Sequence, residues 1–263
     1  MDRARHALVT GAGSGIGAAV ALALACLGNR LTLCGRSQEK LLAQAETVRT
    51  AVPDAALQIA AMDVTDAASV QAAVQQAQAC FGPVHTLVNN AGQAQSAPFA
   101  RTDAQLWQKM LDVNLSGTFL VTQAVLPGML EAAAHGEPGR IVNIASTAGL
   151  QGYAYVSAYV AAKHGVVGLT KALALELARK NVTVNALCPG YTETEIVLDA
   201  VRNIVAKTGQ SETQARQALA ASNPQQRLVQ PKEVADSVLW LCATGSGAIN
   251  GQAIAIDGGE LAG

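Results

Sequence analysis

Ala7-Leu-Val-Thr10-Gly11-Ala-Gly-Ser14-Gly15-Ile16-Gly17 decides the fold. The first four residues carry no charge and read as a short buried strand. Glycines then recur through a turn, and an Ala/Leu run to about residue 27 reads as a helix. A glycine-rich turn between a strand and a helix is where a doubly wound sheet binds a dinucleotide. Glycines let the backbone approach a pyrophosphate, and the helix N-terminus adds free amides and the positive end of its dipole. The common G-x-G-x-x-G spacing is not met, because the sixth position from Gly11 is Ile16. The pattern present is Thr10-Gly11-x-x-x-Gly15-x-Gly17. A bare turn of this kind also fits a tight strand–helix connection, but the flanking strand and helix favour binding.

Outward from this turn, strands and helices alternate to the end of the chain. Strands are expected at 31–34, 57–62, 86–89, 139–145, 181–187 and 252–256. Helices are expected at 37–52, 66–81, 103–130 with a break near Pro127, 157–179 and 231–242, with Asp63-Val-Thr-Asp66 capping the second of these. Most strands are short, β-branched and without polar alternation, as strands buried on both faces are. No linker or composition break divides the chain. The expectation is one α/β domain over residues 1–263: a doubly wound, Rossmann-type, seven-stranded parallel sheet with helices on both faces.

Composition excludes several classes. Half of the 263 residues are hydrophobic, 14% are charged and the net charge is −1, so a packed core is expected and a basic nucleic-acid surface is not. The five cysteines are scattered, and with four histidines they show no zinc spacing, so no metal is expected. The apolar run 16–27 is too short and too rich in Gly and Ala to span a bilayer, and the start lacks a signal-peptide arrangement. No membrane association and a cytoplasmic location with reduced thiols are expected.

Where the second strand ends, an acidic residue would hold the adenosine ribose of NAD. Here the chain reads Cys34-Gly-Arg36-Ser37. Arg36 can pair with a 2′-phosphate and Ser37 can hydrogen-bond to it, which favours NADP(H) over NAD(H), although NAD(H) stays possible. Asp63 and Val64 follow the third strand, where an adenine would lie.

Tyr159 and Lys163 are four apart at the start of the 157–179 helix, hence on one face. A nearby ammonium favours the phenolate and would lower the tyrosine pKa. Alone, the pair equally fits a surface tyrosine over a solvated lysine. Other motifs align with it: Asn89-Asn90-Ala91-Gly92 after the fourth strand, Asn114 in the long helix, Ser146 after the fifth strand, and Pro189-Gly190 after the sixth.

Taken together, in this order and at this spacing, these motifs resemble the short-chain dehydrogenase/reductase family over nearly the whole chain. The resemblance implies a catalytic tetrad of Asn114, Ser146, Tyr159 and Lys163. In reduction Tyr159 would donate a proton to a carbonyl oxygen that Ser146 orients. Lys163 would lower the tyrosine pKa and bind the nicotinamide ribose, and Asn114 would help hold a water leading to solvent. Cofactor contacts would come from Gly11, Ser14, Gly15, Ile16, Gly17, Arg36, Ser37, Asp63, Val64, Asn90, Ala91, Gly92, Tyr159, Lys163, Pro189, Gly190, Thr192 and Thr194. Substrate contacts would include Gln93, Gln151, Tyr153 and Tyr155, under a lid at about 191–226.

Runs such as Lys163-His-Gly-Val-Val-Gly168 are similar to those of 3-oxoacyl-thioester reductases and polyketide ketoreductases. The expected reaction is hydride transfer between nicotinamide and a small-molecule carbonyl or secondary alcohol, specifically a 3-oxoacyl/3-hydroxyacyl thioester on CoA or a carrier protein. An NAD-dependent secondary-alcohol or 3-hydroxyacyl-CoA dehydrogenase is one alternative. A dinucleotide-sensing protein without chemistry is the remote one. Apolar and small residues on the long helices, in excess of one core-facing stripe, fit the family's usual pairing into a homotetramer.

Overall fold

The computed structural model describes residues 5–262. In chain order these form β1 (His6–Thr10), α1 (Gly15–Cys26), β2 (Arg30–Gly35), α2 (Gln38–Ala51), β3 (Leu57–Ala61), α3 (Ala67–Phe81) and β4 (Thr86–Asn89). There follow α4 (Ala104–Leu111), α5 (Gly117–Ala134), β5 (Gly139–Ile144), α6 (Ser157–Leu177) and β6 (Val182–Pro189). The remainder is α7 (Glu195–Thr208), α8 (Glu212–Ala220), α9 (Pro231–Cys242) and β7 (Ala253–Ile256). The seven strands form one sheet in the order β3-β2-β1-β4-β5-β6-β7. Every pairing is parallel.

That order explains why the glycine turn matters. The chain builds outward from β1 to β3 and then returns to place β4 on the other side of β1. Connections leaving β1 and β4 therefore diverge, and a crevice opens at their C-terminal ends. Side-chain alternation along β1 feeds two cores. Ala7 and Val9 pack with α1, α2 and α9, whereas Leu8 packs with α3 and α5 on the opposite face. A buried polar chain ties sheet to helices. Asn89 donates to Thr122 and to Asn143, each at 2.9 Å, and Asn143 donates to Thr170 at 2.9 Å. These bonds fix α5 and α6 beneath the strand ends that carry the candidate site.

One local expectation is corrected. The long helix is not broken at Pro127, which lies inside α5. The deformation is a π-turn at Asp112–Ser116, joining α4 to α5 without a break. Its cause is Asn114, whose side-chain Nδ2 donates to the Met110 carbonyl at 2.9 Å. That carbonyl is the ordinary i−4 acceptor of the Asn114 amide, so the backbone widens by one residue there. The expected cap of α3 within 63–66 falls on Asp66, which accepts from the Ala68 amide at 2.9 Å, while Asp63 accepts from the Thr65 amide. The continuous helix 104–134 is long and apolar enough to cross a membrane, but its buried side packs on α3, β4 and β5.

Candidate active site

The glycine turn closes against the end of β4. Thr10 Oγ1 accepts the Asn90 and Ala91 amides at 2.9 and 3.0 Å, and Asn90 Nδ2 donates to the Thr10 carbonyl at 3.0 Å. Gly17 leaves no room for a side chain: a Cβ there would collide with the Gly11 carbonyl and come within 2.5 Å of Asn90 Nδ2. Gly11 and Gly15 have φ of +64° and +53°, which side chains disfavour. Ser14 N-caps α1 without a side-chain bond, so the first-turn amides remain open to a ligand.

Beside the turn lies a cleft of about 260 Å³ lined by Arg36, Ser37, Asp63, Val64, Ala91 and Gly92, among others. Two hydrogen bonds from Thr65 hold the Asp63 carboxyl below its ordinary pKa, with a smaller contribution from the Arg36 charge. Lys40, four residues after Arg36, also lines this cleft and pairs with Glu195 of α7 at 2.6 Å. Sequence reading missed Lys40. Its only signal was a second cation one turn into α2. Open amides, tight glycines and a cation-lined mouth fit the diphosphate and 2′-phosphate of NADP.

The four tetrad residues lie at the same edge of the sheet. Lys163 is buried and donates to the Ile144 carbonyl at 2.8 Å. Its Nζ is 5.6 Å from the centre of the Tyr159 ring. Burial lowers its pKa to about 8, opposed only by Cys188. Ser146 leaves β5 in extended backbone and accepts the Ala148 amide at 3.1 Å. Its hydroxyl interacts with Tyr159 and favours the phenolate.

The net lowering of the Tyr159 pKa expected from the sequence is not seen: burial pushes it up and outweighs the opposing hydrogen bond from Ser146. The Asn114 side chain is held by backbone groups. Its Oδ1 accepts the Gln93 amide at 3.2 Å, and its Nδ2 donates to the Gln93 and Met110 carbonyls. Both polar atoms are thus held by backbone, and the residue locks the segment after Gly92 onto the π-turn.

The remaining predicted residues divide. Pro189 ends β6, and the Gly190 amide donates to Ile256 at 3.0 Å. Thr192 is buried and bonded to the Gly190 carbonyl, and Thr194 N-caps α7 beside Gly15. Tyr155 is two-thirds exposed at φ +68°, and its carbonyl accepts the Ala97 amide. Gln93 Nε2 is buried without a partner. Gln151 and Tyr153 converge on Glu260, which sequence reading also missed. Tyr153 Oη lies 2.6 Å from Glu260 Oε1 and 2.8 Å from Thr147 Oγ1.

A larger cleft of about 970 Å³ opens at the opposite edge of the sheet, by Arg30, His85 and Glu137, and none of the predicted site residues lines it. Among the described residues no group of three or more His, Cys, Asp or Glu is placed to hold a metal.

Residues 5–204 match the family model for short chain dehydrogenases. A variant of actinorhodin polyketide ketoreductase, solved with NADPH, superposes with a TM-score of 0.92 at 39% identity, covering 99% of this chain and 98% of that one. An acetoacetyl-CoA reductase of Acinetobacter sp. is 37% identical, with 98% of each chain covered. A D-β-hydroxybutyrate dehydrogenase of Cupriavidus necator is 35% identical over the full length of both.

Proposed function

The chain belongs to the short chain dehydrogenase family, and on that premise we propose that it reduces the 3-oxo group of an acyl thioester, on CoA or a carrier protein, with NADPH. The observation that carries the reading is the meeting of Ser146, Tyr159 and Lys163 at the edge where the glycine turn leaves β1. The relatives named as a polyketide ketoreductase and an acetoacetyl-CoA reductase support the thioester.

When bound, NADPH supplies the hydride. Gly11, Ser14, Gly15, Ile16 and Gly17 would hold its diphosphate. Arg36, Ser37 and Lys40 would hold the 2′-phosphate, with Asp63 and Val64 at the adenine. Asn90, Ala91, Gly92, Pro189, Gly190, Thr192 and Thr194 would line the nicotinamide half. A Tyr159 phenol kept protonated by burial is suited to donate its proton to the carbonyl oxygen. Ser146 orients that oxygen. Lys163, with two of its three protons left beyond the Ile144 bond, steadies the phenolate as the proton leaves.

Residues 191–226, which hold α7 and α8, act as the lid, strapped to α2 through Lys40 and Glu195. The working form is a homotetramer in the cytoplasm, a location that its free thiols support.

The test is NADPH oxidation with acetoacetyl and longer 3-oxoacyl thioesters, run beside diketones and cyclic ketones. The thioesters should be turned over with a KM for NADPH at least ~10-fold below that for NADH. Tyr159→Phe should lose ~10²-fold or more of kcat while still binding NADPH. Turnover of cyclic ketones with none of thioesters overturns the substrate. A preference for NADH overturns the cofactor.

A further inference from the structure

Glu260 enters the site from the far end of the chain, and its position is built rather than incidental. It lies in the turn after β7, where Gly258 and Gly259 take φ of +67° and +99°. Buried Asp257 clamps that turn with both carboxylate oxygens. Oδ1 accepts the Gly259 amide and Oδ2 the Leu261 amide, each at 2.9 Å.

The Glu260 side chain is clamped as well. Tyr153 has one hydroxyl proton, and at 2.6 Å it goes to Glu260 Oε1. The Tyr153 oxygen then accepts from Thr147 and from Gln151, both at 2.8 Å. Gln151 Nε2 also reaches Oε1, at 3.3 Å. Thr147 follows Ser146 in the chain, so two hydrogen bonds separate this carboxylate from the residue beside the carbonyl-orienting serine.

Oε2 is left over. Among the described residues no donor meets it, and no Lys or Arg pairs with Glu260. It lies 3.5 Å from where a Cβ on Gly190 would stand, against the loop that follows β6. The site thus holds a fixed, uncompensated negative charge between the segment after β5 and the segment after β6. Those two segments flank the reacting carbonyl.

We propose that Glu260 is a specificity-determining residue that excludes free 3-oxo and 3-hydroxy carboxylates and admits their neutral thioesters. The inference rests on the thioester reading above and sharpens it. A 3-oxo acid and its thioester present the same ketone to Tyr159 and Ser146. They differ at C1, where the free acid carries a full charge and the thioester carries none. A C1 carboxylate brought beside Oε2 would be repelled in a partly buried site, and among the described residues no Lys or Arg pairs with Glu260 to relieve it. The thioester carbonyl meets no such field, and its amide-bearing arm can donate to Oε2. The phosphates of CoA or a carrier arm lie beyond one screening length of ~10 Å and are not sensed. Overall similarity does not make this distinction, because the relatives include one named for a thioester and one named for a free hydroxy acid.

The experiment compares kcat/KM for acetoacetate and for its N-acetylcysteamine thioester in the wild type and in Glu260→Gln, with NADPH binding as the check on folding. The wild type should favour the thioester by ~10²-fold or more. Glu260→Gln should raise acetoacetate turnover at least ~10-fold relative to thioester turnover. A ratio that stays within twofold overturns the role of Glu260. If the wild type uses neither compound, the thioester reading falls on its own. The inference is then read on 4-oxocyclohexanecarboxylate against its methyl ester, where the same relative gain in Glu260→Gln upholds it and an unchanged ratio overturns it.

Discussion

Lys163 is the residue whose energetics are least comfortable. It is 5% exposed, no carboxylate among the described residues pairs with it, and it donates to a backbone carbonyl. Burial holds its pKa at about 8 against an ordinary 10.5. Below pH 8 the group is charged in the folded and unfolded states alike, and burying that charge works against folding. Between pH 8 and 10.5 the unfolded chain keeps a proton that the folded chain has released, so stability rises with pH across this window. Above it both states are neutral and the penalty is gone. Lys163→Met removes the ammonium and should therefore stabilise the cofactor-free protein at pH 7. Its advantage over the wild type should shrink by on the order of 3 kcal/mol as pH rises through the window. Urea unfolding of both proteins at a series of pH values measures this, and a difference independent of pH refutes the buried, unpaired ammonium. The same variant should lose activity, because the charge that opposes folding is the one that steadies the Tyr159 phenolate. A site that places such a group in apolar surroundings gives up stability for chemistry.

At the scale of elements, the glycine turn and the π-turn show what a linear reading reaches and where it stops. Gly17 packs on the Gly11 carbonyl and on Asn90, so α1 can approach β4 only without a Cβ there. Gly17→Ala should lower stability by about 1–3 kcal/mol through this overpacking, and should weaken NADPH binding because the turn must open. Thermal unfolding with and without NADPH reads both effects, and a variant of unchanged Tm and affinity would show that the close approach is not needed. This turn was legible because strand, glycines and helix are neighbours in the chain. The parallel sheet was legible for the same reason, since runs such as Ile141-Val142 and Leu31-Thr-Leu33 declare burial on both faces locally. Tyr159 and Lys163 were legible through helical spacing, but the direction of the tyrosine shift was not, because it depends on burial beneath segments far away in sequence. The π-turn was missed because nothing in the sequence says that the Asn114 side chain, rather than solvent, takes the Met110 carbonyl one turn earlier. Pro127 suggested a break because its missing donor is visible in sequence, whereas the packing of Val125 and Met129 that holds α5 together is not. Lys40 with Glu195, 155 residues apart, and Tyr153 with Glu260, 107 apart, are long-range pairs that no local pattern announces.

The molecule as a whole leaves apolar surface on both of its helical layers. On one layer Leu175 of α6 is 83% exposed, with Phe119 of α5 and Trp107 of α4 also open to solvent. The opposite face of α6 is occupied by Ala162, Val166, Thr170 and Ala174 against the sheet, so Leu175 has no role in the internal core. On the other layer Trp240 of α9 is half exposed while Val234 and Val238 on the same helix are buried. Isolated exposed side chains need no explanation, but large apolar residues grouped on a helical layer are typical of contact surfaces. Two separate surfaces, each meeting its own copy across a two-fold axis, generate a tetramer of D₂ symmetry. Light scattering should therefore give a mass about four times the 26.9 kDa of one chain. Leu175→Glu should break the contact on its layer and leave dimers joined through α9, and Trp240→Glu should leave dimers joined through α6. The double variant should be a monomer. The π-turn and the start of α6 belong to the same layer as Leu175, so splitting that contact should also reduce kcat, whereas splitting the α9 contact should change it less. A wild-type monomer, or a tetramer that survives both substitutions, contradicts this assignment of surfaces.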